Sequence, residues 1–242
     1  MGLRLLLLPA PRMVLLASLV AVSGASAQDI FVTPVPNIPF TGVIQVERSL
    51  GQPDGSRIEL KTVRNIARDS QGRIHTESRQ LLPSSSTTQP GVIRIHLYDP
   101  ETRTSTVLDP QSRTYSTMTV NHPPRTVPPA FIASTSGSSL PQNDFAKQED
   151  LGTREIEGLG VHGVRQTQTI PSPGNAGNEV VVTDEYWYSE DLQINLIVKH
   201  FDPRTGSFTA RVARIARTEP EPAMFEIPEG YTPSKAEPGI ER

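Results

Sequence analysis

Apolar and polar residues alternate along most of this chain. Between Val92 and Tyr98, Ile93, Ile95 and Leu97 fall on one side and Arg94 and His96 on the other. A period of two is the mark of a half-buried strand. The same alternation predicts strands over 41–47, 57–68, 73–81, 92–98, 103–108 and 113–120 in the first half. In the second half it predicts 150–157, 164–170, 180–188, 192–201 and 208–217. Leu192, Ile194, Leu196 and Val198 share one face of their strand, and Phe208, Ala210 and Val212 share one face of the next. Both faces are expected to point into a common core. Apart from one helical turn at 129–133, helical periodicity is missing from the chain beyond its leader.

The breaks between these segments are turn sequences. Three are near-copies: Tyr98-Asp-Pro-Glu-Thr-Arg-Thr104, Leu108-Asp-Pro-Gln-Ser-Arg-Thr114 and Phe201-Asp-Pro-Arg-Thr-Gly-Ser207. Asp closes a turn through its own carboxylate, and Pro presets φ for the following position. Asp69-Ser-Gln-Gly72, Gly51-Gln-Pro-Asp-Gly55 and the glycine-rich Gly158-Leu-Gly-Val-His-Gly163 also read as turns. Short turns between strands predict an antiparallel meander. One long interruption, 122–148, holds five prolines and the run Ser134-Thr-Ser-Gly-Ser-Ser139. A loop of that length in a compact domain is uncommon and often functional. The fold class expected is therefore mainly β, a curved antiparallel meander with a long Pro/Ser-rich loop and little helix.

Residues 1–27 read as a signal peptide: Arg4 and Arg12, apolar stretches interrupted by Pro9 and Pro11, and Ala25-Ser-Ala27 at the cleavage position. The expected organisation is that leader, a Pro-rich extended segment over 28–40, one β domain over 41–230, and a polar, frayed tail over 231–242. Localisation follows: exported, periplasmic or extracellular, with no membrane span after cleavage. The chain contains no cysteine, so neither disulfides nor thiol chemistry contributes, and an apolar core alone must hold the exported domain. The formal charge of −3 becomes −5 once the two leader arginines are removed. A mildly acidic surface is not built to track a phosphate backbone, which excludes nucleic acid as a partner.

Chemistry is sparse. The five histidines, His75, His96, His122, His162 and His200, form no metal-ligand spacing. His200 with Asp202, and His75 with Glu77, share strand faces and are better read as ordinary strand-end residues. Gly-x-Ser-x-Gly is absent. The acidic pairs Glu149-Asp150, Asp184-Glu185 and Glu190-Asp191 lie at strand ends or turns, where neighbours point apart and cannot converge for acid–base work. Gly158 and Gly160 lack the third glycine and the helix of a dinucleotide site. No catalytic residue, metal or cofactor is expected. Tyr186-Trp187-Tyr188 is the richest aromatic cluster, with Trp187 facing away from its neighbours and core packing as the favoured role.

From residue 149 onward the text resembles a known family. Residues 149–158 followed by 161–169 are similar to the glycine turn and strand of the half-barrel carrier superfamily, which includes lipoprotein-sorting carriers and envelope-stress sensors of Gram-negative bacteria. Glu185-Tyr-Trp-Tyr-Ser-Glu-Asp-Leu192 resembles its strand–turn–strand around a Trp. Met224-Phe-Glu-Ile-Pro-Glu-Gly-Tyr231 resembles its closing Phe-x-x-Pro-x-x-Tyr segment. The resemblance covers roughly the last 80 residues and implies a curved sheet with an apolar concave face. An open sheet needs helices, loops or a hydrophobic ligand on that face. The expected function is a non-catalytic binding module sheltering a lipid or other hydrophobic ligand. Ile93, Ile95, Leu97, Trp187, Leu196, Val198, Phe208 and Val212 are the expected concave face. A structural or protein-interaction component of the envelope, with an envelope protein as partner, and a hydrolase using histidine and carboxylate remain the alternatives.

Overall fold

The computed structural model describes residues 29–52, 54–121, 146–171 and 179–234. The leader, most of the expected long loop and the last eight residues lie outside that set. Among the described residues, thirteen strands form one sheet. They are β1 (Phe40–Gly51), β2 (Arg57–Arg68), β3 (Ile74–Arg79), β4 (Leu82–Pro83), β5 (Val92–Asp99), β6 (Thr104–Asp109), β7 (Thr114–Thr119), β8 (Ala146–Ile156), β9 (Leu159–Pro171), β10 (Glu179–Ser189), β11 (Ile194–Asp202), β12 (Gly206–Ala216) and β13 (Thr232–Pro233). The order is β13-β7-β6-β5-β3-β2-β1-β12-β11-β10-β9-β8, with β4 attached to β2. Two meanders are thus sewn together by β1, which pairs with its hairpin partner β2 on one side and with the late strand β12 on the other. The sheet is curved and does not close. Bulges in the β1–β12, β10–β11 and β8–β9 pairings add local twist.

The three Asp-Pro turns adopt one conformation. In each, the Asp Oδ1 accepts the N–H two residues on: Glu101 to Asp99 at 2.9 Å, Gln111 to Asp109 at 2.8 Å and Arg204 to Asp202 at 2.8 Å. Four residues after each Asp the backbone turns left-handed, at Arg103 (φ 55°), Arg113 (φ 51°) and Gly206 (φ 122°). The β10–β11 turn repeats the pattern with Ser189 in the Asp position and Gln193 at φ 54°. Only the Gly206 copy requires glycine for space: a Cβ there would stand 1.7 Å from the Ser49 carbonyl oxygen of β1.

Three boundaries differ from the pattern-based reading. The expected turn 158–163 shrinks to Glu157-Gly158, and Leu159 and Val161 are already buried strand residues. Gly163 is a packing glycine: its missing Cβ makes room for the Trp187 ring, which would otherwise lie 2.7 Å away. The expected loop over 122–148 ends earlier, because β8 begins at Ala146 opposite Gln168. The expected frayed tail is tied down at its start, where Thr232 and Pro233 add a short parallel strand to β7. A 3-10 turn, Pro222–Phe225, precedes it.

Directly paired residues share a face of the sheet, so the register assigns sides. The inner face carries Ile44 and Val46 of β1, Ala210 and Val212 of β12, Val198 of β11 and Tyr186 of β10. These belong to one buried cluster with Phe40, Ile66, Leu192, Ile194 and Leu196. Each full burial of such a side chain contributes about 1.5–3 kcal/mol. All three residues of the Tyr186-Trp187-Tyr188 trio are buried, so both sides of β10 are covered there.

Candidate functional site

On the other half of the inner face the packing stops and a cavity of about 550 Å³ opens. Its floor is laid down in rows by the register of β2, β3, β5 and β6. One row is Arg68, Ile74, Tyr98 and Ser105; the next is Ile66, Thr76, His96 and Val107; the third is Arg64, Ser78 and Arg94. Arg68 is buried beside the cavity; the others line it. Two residues along each strand separate successive rows, about 7 Å. The first two rows mix apolar side chains (Ile66, Ile74, Tyr98 and Val107) with polar ones, and the third is cationic at both ends.

The wall is the segment preceding β1. Ile30 to Pro34 run over the inner face and line the cavity. Four bonds strap this arm down. Asp29 accepts from Arg64 at 2.5 Å, Thr33 Oγ1 donates to the Gln193 carbonyl at 2.9 Å, and Arg68 donates to the carbonyls of Thr33 (2.8 Å) and Ile38 (2.9 Å). Arg68 also donates to the Leu192 carbonyl at 2.8 Å and lies over the Phe40 ring, 4.9 Å from its centroid. Its side chain is fully buried, and burial lowers its pKa to about 10. A buried cation is tolerated here because three carbonyl dipoles, two from the arm and one from the β10–β11 turn, converge on it. Ile30 is buried by this arrangement, whereas Phe31 is 67% exposed at the rim.

Polar groups also line the cavity, among them Thr76, Ser78, His96 and Ser105. His96 Nε2 lies 2.8 Å from Ser105 Oγ, and burial, with Arg94 nearby, lowers the His96 pKa and keeps the ring neutral. A histidine beside a serine is half of an acyl-transfer constellation. No carboxylate is within hydrogen-bond reach of His96 among the described residues, and the neighbouring strands use their backbone N–H groups in the ladder rather than as oxyanion donors.

The eight residues expected on the concave face divide into two groups, and neither lines this cavity. Leu196, Val198, Phe208 and Val212 are at most 5% exposed and packed into the core. Ile93, Ile95 and Leu97 lie on the outer face, in register with Glu77 and His75 of β3. There the closing segment covers part of them: His75 Nδ1 donates to the Met224 carbonyl at 2.6 Å, and Phe225 and Ile227 border a cleft with Leu97. The rule that the more apolar face looks inward fails for β5, because its outer face has its own apolar cover and its inner face lines the cavity. Trp187, also on the outer side, lies under Arg154, 3.6 Å from the ring centroid, and its Nε1 donates to Glu185 at 2.7 Å. Burial would raise the Glu185 pKa, but the hydrogen bonds from Lys199, Trp187 and Arg165 outweigh it and hold it at about 2.

The other charged candidates resolve into local pairs. His200 bonds Asp184 of β10 at 2.8 Å, while Asp202 holds Arg204. Glu77 holds Arg79 and Asn65 rather than His75. Glu149 and Asp150 diverge, to Arg165 and His162. Among the described residues no group of three metal-ligating side chains converges, and no helix is long and apolar enough to cross a membrane.

No family model and no curated protein sequence matches the chain. Solved structures do. The chain is similar to the MucA/MucB complex of Pseudomonas aeruginosa, with a TM-score of 0.37, 12% identity, and coverage of 78% of this chain and 55% of that one. It is similar to a LolA superfamily protein from Nitrosomonas europaea, with a TM-score of 0.32, 9% identity, and coverage of 81% and 92%. It is also similar to LprF from Mycobacterium bovis, with a TM-score of 0.30, 12% identity, and coverage of 76% and 90%.

Proposed function

We propose that this chain is an exported, non-catalytic binding module that shelters a hydrophobic ligand in the cavity between the arm and strands β2, β3, β5 and β6. One observation carries the reading: a cavity of about 550 Å³, the size that takes a small ligand, is walled by Ile30, Val32, Ile44, Ile66, Ile74 and Val107. An apolar hollow of this size opening to water is unfavourable unless something apolar fills it. Two apolar side chains, Phe31 and Met118, are exposed at 67% and 64%: Phe31 lines the cavity, and Met118 is the strand partner of Ser105 on its floor. They are suited to meeting an apolar ligand on its way in. The signal-peptide reading of residues 1–27 supports an activity outside the cytosol.

The test is organic extraction and mass spectrometry of the protein purified from an exporting host, beside a Val107→Trp variant that fills the floor. One stoichiometric hydrophobic species, lost from the variant, is expected. Empty protein that also ignores a hydrophobic fluorescent probe overturns the reading, and a stoichiometric protein partner in place of a lipid favours the envelope-interaction alternative. The His96–Ser105 contact is an observation on the side of a hydrolase; labelling of Ser105 by a fluorophosphonate, abolished in Ser105→Ala, would establish it.

A further inference from the structure

The charge in the cavity is one-sided. Arg64 and Arg94 line it, and no Asp or Glu does among the described residues. They stand two strands apart in the same row, with Ser78 between them, so their Cα atoms are about 10 Å apart. Arg64 already has a carboxylate, Asp29 of the arm. Arg94 is exposed and has no hydrogen-bond or ion-pair partner among the described residues. The row therefore carries one uncompensated positive charge beside a serine hydroxyl. From Arg94, the same face of β5 runs through His96 to Tyr98, about 13 Å, and meets Ile74 of β3 and Val107 of β6, with Ile66 one strand further on β2. Cation at one end and apolar floor at the other describe the shape of an amphiphile.

We infer that the cavity selects an amphiphile with a single anionic head, held by Arg94 and Ser78, with its apolar tail laid along Ile66, Ile74, Tyr98 and Val107. This rests on the hydrophobic-ligand reading above and adds the head-group chemistry to it. The Asp29–Arg64 pair is the built-in example of the recognition: a carboxylate already sits against the same row. A carboxylate and a phosphate monoester present the same chemistry to a guanidinium, so both heads fall within the class. A cationic head meets an unneutralised like charge and is rejected.

The experiment compares cis-parinaric acid with its methyl ester by fluorescence titration of the purified full protein, followed by displacement with dodecanoate, dodecyl phosphate and dodecyltrimethylammonium. The acid is expected to bind about ten- to a hundredfold more tightly than the ester, the range of one charge-assisted hydrogen-bonded contact. Arg94→Gln should bring the acid to the level of the ester, and Arg94→Lys should retain most of the preference. Arg57→Gln, at the distant end of β2, should change neither. Dodecanoate and dodecyl phosphate should displace the probe, their ratio separating a fatty acid from a phosphate-headed lipid, and the cationic detergent should not. Equal binding of acid and ester, or a preference that survives Arg94→Gln, overturns the head-group inference while leaving the hydrophobic-ligand reading intact. Binding of neither probe overturns both.

Discussion

On β11 and β12 the inner face carries Leu196, Val198, Ala210 and Val212, none more than 1% exposed. On β3 and β5 the same face of the same sheet carries Thr76, Ser78, Arg94 and His96, and a cavity lies over it. One half is filled with hydrocarbon and holds the molecule together. The other is floored with mixed chemistry and left hollow. The difference teaches that one sheet can put its packed core and its hollow side by side: buried hydrocarbon is concentrated where β1 meets β12, and β2 to β6 face the cavity.

The sharpest way to break this contrast uses the repeated turn. Gly206→Ala, in the filled half, drives a Cβ into the Ser49 carbonyl and should cost more than about 4 kcal/mol, leaving little folded protein by circular dichroism. Arg113→Gly, at the equivalent position in the hollow half, relieves a left-handed arginine and should shift stability by no more than about 1 kcal/mol in urea melts. Arg68 ties the halves together. Arg68→Met strands the carbonyls of Thr33, Ile38 and Leu192 and should cost on the order of 3–5 kcal/mol. Hydrogen exchange over residues 29–38 should accelerate first. A core truncation on each side sharpens the comparison further. Leu196→Ala should cost about 2–5 kcal/mol, and Val107→Ala, which enlarges a hollow already present, under about 1 kcal/mol, both read from urea midpoints.

The smallest effect is pH dependence. Burial lowers the pKa of His75 and of His96 below the unfolded value, so the folded state binds fewer protons than the unfolded one. Their contribution to stability is complete above the unfolded pKa of 6.5 and is lost as pH falls through the folded values. Urea midpoints should therefore drop between pH 7.5 and pH 5. His75→Gln, which keeps a donor for the Met224 carbonyl, should flatten part of that slope.

Strands and turns were legible because their signals are local. The alternation over 57–68 coincides with β2, and the Asp-Pro turns name the bond each Asp makes. The buried faces of β11 and β12 were also legible, since Leu196, Val198, Ala210 and Val212 have no other side to occupy. The cavity was not. Choosing which face of β5 looks inward depends on what covers each side, and that is decided by Met224, Phe225 and the arm, far away in sequence. Gly163 shows the same limit: as text it suggests a turn, and only the ring of Trp187 explains it. Arg68 carried no sequence signal at all, because its partners are backbone carbonyls and those have no letter.

The pairing of β1 with β12 has a consequence for how the molecule comes into being. β1 can zip onto β2 as soon as both are made, yet its opposite edge waits for a strand almost at the end of the chain. At ordinary rates of synthesis that edge stays naked for roughly ten to thirty seconds. During this interval the β1–β2 side of the sheet can pair, but the seam that joins the two meanders cannot form until β12 arrives.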